Sequence, residues 1–218
     1  MSFASYTSFG TSLATWLLNS NTATITDVGV SMVADLITVG ETRIFREART
    51  RDMETEFSDT ISSNGTLALP TSYLALKNAY VNSSPQQSLE RRSAEWIRLS
   101  YPETSDSGVP KFIARYASNF IFGPYPDSAY TVKGVYYKNL TAISGAAVNA
   151  LFTTNPDLYL FACLSEGELV IGRDPRVAFW ESKYQRILAD ANGMSAAEDA
   201  SGSSLQMRVA GVAGMRMR

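Results

Sequence analysis

Two carboxylates, Glu166 and Glu168, stand two residues apart in an apolar stretch and are the closest approach to an acid–base pair in this chain. Groups two apart on a helix point in different directions and cannot flank one bond. They read instead as solvent-facing or ion-paired side chains, with Glu166 the better candidate for a buried partner to an arginine. Cys163 sits among Phe161, Ala162 and Leu164, and the chain has no histidine to deprotonate it, so it reads as a small apolar filler. One cysteine and no histidine also remove the usual structural zinc sites, any Cys-x-x-Cys redox pair and every histidine-based triad. Gly123-Pro124-Tyr125-Pro126 lacks the glycine pattern and the lysine of a phosphate loop, and no Gly-x-Ser-x-Gly elbow stands behind the many serines. No catalytic residue, cofactor or metal site is expected.

The other polar chemistry is a strip of alternating sign. Arg43, Arg46, Arg49 and Arg51 are interleaved with Glu41, Glu47 and Glu54, which sets Arg43 against Glu47 and Glu47 against Arg51 at four-residue spacing. Such a strip serves as a solvated, ion-paired helix end, as a phosphate-binding surface or as a contact for a neighbouring copy. With 19 Lys plus Arg against 21 Asp plus Glu, the formal charge is −2, and no bulk basicity argues for binding by phosphate neutralisation.

The elements that must carry these residues follow from periodicity. A chain of 218 residues suits one body with an insertion and buries roughly 70% of its unfolded surface without staples. The first residues have no basic, apolar leader pattern, and no window approaches the roughly 18 apolar residues of a membrane span, so a soluble cytoplasmic protein is expected and the sequons at Asn64, Asn82 and Asn139 read as chance matches. Tyr6, Phe9, Leu13, Trp16 and Leu17 mark a first helix over 3–18. Thr26 or Asp27 caps a second, running to about Thr50. From Met53 the period changes to two: Phe57, Asp59 and Ile61 lead into Ser63-Asn64-Gly65, and Leu67 and Leu69 follow, which predicts a hairpin. Residues 73–81 form another strand, and 93–101 a short helix with Trp96 and Leu99. Residues 111–116, 120–122 and 129–138 read as a three-stranded antiparallel meander. Asn155-Pro156-Asp157 caps an apolar helix extending through Leu169 to Gly172, and Asp174-Pro175 opens another, bearing Val177, Trp180, Tyr184, Ile187 and Leu188, that stops near Gly193. The fold class is α+β: a helical body (1–52 and 149–193), a β-rich insertion (53–148) and a C-terminal extension (194–218). That extension carries four of the seven methionines and no aromatic residue.

The order of several short stretches resembles the head-to-tail adaptor proteins of tailed bacteriophages, most of all those of short-tailed phages. They are Asp35 through Glu54, Leu67-Ala68-Leu69-Pro70 with Tyr73-Leu74-Ala75-Leu76, Gly108-Val109-Pro110, Phe122-Gly123-Pro124-Tyr125-Pro126-Asp127, Tyr136-Tyr137, Pro156-Asp157-Leu158-Tyr159-Leu160-Phe161, and Gly202-Ser203-Ser204-Leu205-Gln206-Met207-Arg208. Gly40 and Gly167 stand where the resemblance leads one to expect alanine, and residues 209–218 extend past the familiar end.

The resemblance implies a structural virion protein that is not an enzyme. It implies a homo-oligomeric ring of twelve copies beneath the portal protein, joined below to a tail nozzle or tail tube protein, with a channel through which DNA leaves without sequence-specific binding. Copies at −2 each make a mildly anionic assembly, in keeping with free passage of DNA. Leu205, Met207, Arg208, Val209, Met215, Arg216, Met217 and Arg218, with Arg43, Arg46 and Arg49, are the expected contacts to the portal or to a neighbouring subunit. The extension is expected to gain order only on docking. The alternative is a tail-associated protein that binds glycans or a host surface through Tyr125, Tyr130, Tyr136 and Tyr137.

Overall fold

The computed structural model describes residues 3, 5–19, 23–145, 147–167, 172 and 175–201. Helix α1, Tyr6–Leu18, opens at Ser5, whose side chain caps Ser8 while Ser8 reciprocates, and it ends at Asn19 in the left-handed region. The expected second helix is broken in two. Thr24, rather than Thr26 or Asp27, forms a capping box with Asp27 and opens α2, Ile25–Val28. Gly29, at φ +104°, then interrupts the chain before α3, Val30–Glu47, which stops short of Thr50. A 3-10 turn at Arg51–Met53 leads into the strands.

The strands are β1 (Glu54–Thr60), β2 (Thr66–Ala68), β3 (Tyr73–Val81), β4 (Gln87–Ser88), β5 (Glu90–Arg91), β6 (Ser107–Gly108), β7 (Phe112–Tyr116), β8 (Asn119–Gly123), β9 (Tyr125–Pro126) and β10 (Thr131–Lys138). They build one sheet in the order β1-β10-β3-β4, a second in the order β2-β8-β7-β5, and a two-stranded pair β6-β9. The expected hairpin is absent: β1 pairs with β10, and β2 pairs with β8 in the other sheet. At the register pair Phe57–Gly134, a Cβ on Gly134 would lie 2.8 Å from the Phe57 ring and 2.3 Å from the Asn78 carbonyl oxygen. Only glycine in β10 lets that ring and β3 close together. The expected meander is likewise divided, because β7 and β8 form a hairpin while β10 crosses to the first sheet. The inner faces meet through aromatic pairs: Phe57 stacks on Phe120 at 6.2 Å and Tyr73 meets Phe120 edge-on at 5.4 Å.

Between β5 and β6 lies α4, Ala94–Ser100, capped by Ser93. Helix α5, Ala150–Thr154, is capped by Asn149, whose Oδ1 accepts from the Phe152 amide at 2.8 Å. Helix α6, Pro156–Ser165, carries proline in its first turn, but Asn155 makes no side-chain cap there, and the helix ends at Ser165 rather than at Gly172. Leu169 and Asp174 lie outside the described residues. Helix α7, Val177–Ser201, runs past Gly193. One helical glycine costs only about 1 kcal/mol, which alanine-rich flanks and tertiary contacts offset. Two such contacts are Asn192 Oδ1 accepting from the Arg49 amide at 2.8 Å and Ser195 Oγ accepting from the Arg51 amide at 3.2 Å.

The helices share one apolar core containing Phe9, Leu13, Ile37, Tyr159, Trp180 and Tyr184. A second core lies between the sheets around Val81, Ile113, Phe120, Phe122 and Val132. Gly40 sits where α3 crosses α6: a Cβ there would be 2.8 Å from Cys163 Sγ. At Gly167 a Cβ would be 2.8 Å from Leu17 Cδ2. Both glycines are closely packed, so a Cβ at either position would force its neighbours to shift.

Candidate assembly surface

Arg43 projects from the last turns of α3 into the junction with α6 and α7. Its Nη1 and Nη2 donate to the two oxygens of Glu181 at 2.8 and 2.6 Å, and Nη1 also reaches Ser165 Oγ at 3.1 Å and Glu166 Oε1 at 3.4 Å. Nε meets Glu47 Oε1 at 3.3 Å, the guanidinium lies 4.3 Å from the Tyr184 ring centroid, and the Tyr184 hydroxyl donates to Glu47 Oε2 at 2.9 Å. The two-pronged hydrogen bond with Glu181 pushes the guanidinium pKa upward and holds the Glu181 carboxyl below the usual carboxylate range. The expected pair of Arg43 with Glu47 is present, and Glu166 meets an arginine as expected, but with its side chain 29% exposed it is not a buried partner. The expected pair of Glu47 with Arg51 is absent, since Arg51 binds Glu198 and Glu47 takes the tyrosine. Glu181 escaped the sequence reading because nothing local links it to a residue 138 positions away.

The strip also hides a buried acid. Glu41, only 4% exposed, accepts the Ile143 amide through Oε1 at 3.0 Å, and burial pushes its pKa up to about 7, against the opposing pull of that hydrogen bond. Arg46 is exposed, with Nε donating to the Thr42 carbonyl at 3.3 Å. The partly buried Arg49 guanidinium donates to the carbonyls of Phe45 and Ala48. The helix end thus divides into an inward clamp, Arg43, and an outward cation, Arg46. At the far end of α7, Lys77 Nζ bridges Glu54 Oε1 and Asp199 Oδ1, each at 2.6 Å, so the helix terminus is fixed beside the start of β1.

A second surface was not legible in the sequence. Trp96 is 37% exposed, Tyr116 45% and Leu99 75%. Arg92 lies 5.2 Å from the Trp96 ring and Arg98 3.9 Å from the Tyr116 ring. Exposed tryptophan and tyrosine backed by arginine are the residue types enriched at interface hot spots. The tyrosines expected to form a glycan platform are dispersed. Tyr136 is buried between the sheets, Tyr137 packs against the helical core from the opposite face of β10, and Tyr130 donates to Asp127 at 2.7 Å. Cys163 is fully buried, and that burial pushes its thiol pKa upward, as befits a filler. Among the described residues no group of three or more acidic or thiol side chains could hold a metal ion, and no helix is long and apolar enough to cross a membrane. Glu168, Leu205, Met207, Arg208, Val209, Met215, Arg216, Met217 and Arg218 lie outside the described residues.

Inward ion pairs thus clamp the helices, beside an outward cation and an arginine–aromatic patch on the surface. The chain belongs to the SU10 adaptor protein family, a phage head-tail adaptor family whose model matches residues 4–209. Membership makes it a structural component of the virion and implies oligomerisation and contact with portal and tail components. No curated protein matches the chain.

Proposed function

We propose that the chain forms a ring of twelve copies beneath the portal of a short-tailed phage, joins the capsid to a tail nozzle or tail tube, and leaves a channel through which DNA is ejected. The observation that carries this reading is the family match across 4–209, which spans both the helical and the sheet elements. The helical body supplies rigidity through the Arg43 clamp. Contacts to portal and neighbour fall to Arg46 and Arg49 at the end of α3 and to the apolar and basic residues Leu205, Met207, Arg208, Val209, Met215, Arg216, Met217 and Arg218. Methionines suit such a contact because they adapt to irregular surfaces, and arginines reach acidic groups.

The test is the mass of the purified chain alone and with the portal, combined with imaging of the complex. A twelve-fold ring seated on the portal is expected. A chain that ignores the portal while binding glycan would overturn the reading.

A further inference from the structure

We propose that the free edge of β1 receives residues 205–209 of a second copy as an added antiparallel strand. The inference deepens the adaptor reading and rests on the self-association it includes. Strand β1 is seven residues long and pairs with β10 on one side; among the described residues no strand covers its other side. Glu54–Thr60 contains no proline, lysine or glycine and no bulge in its pairing with β10, so several of the usual devices that blunt an edge are missing. Glu56, Ser58, Asp59 and Thr60 are exposed, and every charge on the strand is acidic. Such an edge repels a copy of itself and admits a cationic strand.

The chain carries one segment of the matching kind. Residues 202–218 hold three arginines and no acid, against 16 Lys plus Arg and 21 Asp plus Glu in the rest of the chain. Within it Leu205, Met207 and Val209 alternate with Gln206 and Arg208, the period of a strand with one apolar and one polar face. Lys77 ties Asp199 of α7 to Glu54, so the chain leaves α7 at the Glu54 end of β1. Every strand pairing in that sheet is antiparallel. Donated head-to-tail by a second copy, the strand gives the heterologous contact from which rings close.

The test mixes full-length Ser58→Cys protein with full-length chains carrying single cysteines in place of Leu205 to Val209, under oxidising conditions at assembling concentration. A disulfide-linked mixed dimer is expected at one or more positions, and none when Ser88→Cys on β4 replaces Ser58→Cys. Glu56→Arg should reduce the yield several-fold, and Arg208→Glu in the partner should restore it. Oligomers that form, by mass, without any mixed dimer would overturn the strand exchange and leave the adaptor reading intact. So would a bond that forms only within one chain of a doubly substituted protein at high dilution. Failure to oligomerise, alone or with portal, would overturn both.

Discussion

Glu41 and Arg43 stand two residues apart on α3 and show how much a residue's neighbours decide. In the folded chain Glu41 holds its proton to about pH 7, against about 4.5 for an ordinary glutamate. The folded state therefore binds more protons than the unfolded state between those values, and stability falls as pH rises through that window and levels off above it. Glu41→Gln keeps an acceptor for the Ile143 amide and should flatten this slope, raising stability at pH 8 by on the order of 1 to 3 kcal/mol in urea titrations. An unchanged slope would contradict the burial account. Arg43→Ala removes the cation from Glu181 and Glu166, both still reached by water, and should cost about 1 to 3 kcal/mol, less than a fully buried pair. Arg43→Lys should recover only part of the loss in the same melts, because an ammonium cannot make the forked contact. The sequence shows the i,i+4 pair of Arg43 with Glu47 and the suitability of Glu166 as an arginine partner, since the first is local and the second follows from its apolar setting. It does not show Glu181 or the burial of Glu41, which depend on how distant helices stack.

At the scale of elements, helix and strand positions were mostly legible from periodicity, whereas their ends and partners were not. Caps compete within a few residues, as Thr24 does with Thr26 and Asp27, and α7 passes Gly193 because contacts from distant segments support it. Strand partners are set by shape across the chain: Phe57 of β1 lies over Gly134 of β10, and the Asn64-Gly65 turn leads from one sheet to the other instead of closing a hairpin. The crossing of α3 over α6 gives a test. Gly40→Ala gains about 1 kcal/mol of helix propensity but drives a Cβ to 2.8 Å from Cys163 Sγ, so net destabilisation of about 1 to 2 kcal/mol is expected. Cys163→Ala in the same chain should relieve much of it in a double-mutant cycle; additive effects would show that the two do not touch. Trp180, 2% exposed between α7 and the rest of the helical core, should cost about 3 to 5 kcal/mol when changed to alanine. A loss below about 1 kcal/mol would show that the helices pack otherwise.

The molecule as a whole joins a clamped set of helices to two facing sheets. Its overall class could be read from alternating helical and two-residue periods, and its family from the order of short stretches, because both survive without knowledge of tertiary contacts. The exposed patch around Trp96 could not, since a tryptophan on a short helix is as easily buried as displayed. Removing residues 202–218 should leave the folded body with the melting behaviour of the full chain while weakening its attachment to the portal and to other copies. The most direct measurement is the mass and image of full-length protein mixed with portal. The account predicts a closed ring of copies bound at one end of the portal, lost or weakened on that truncation. A chain that stays monomeric and leaves the portal bare would contradict it.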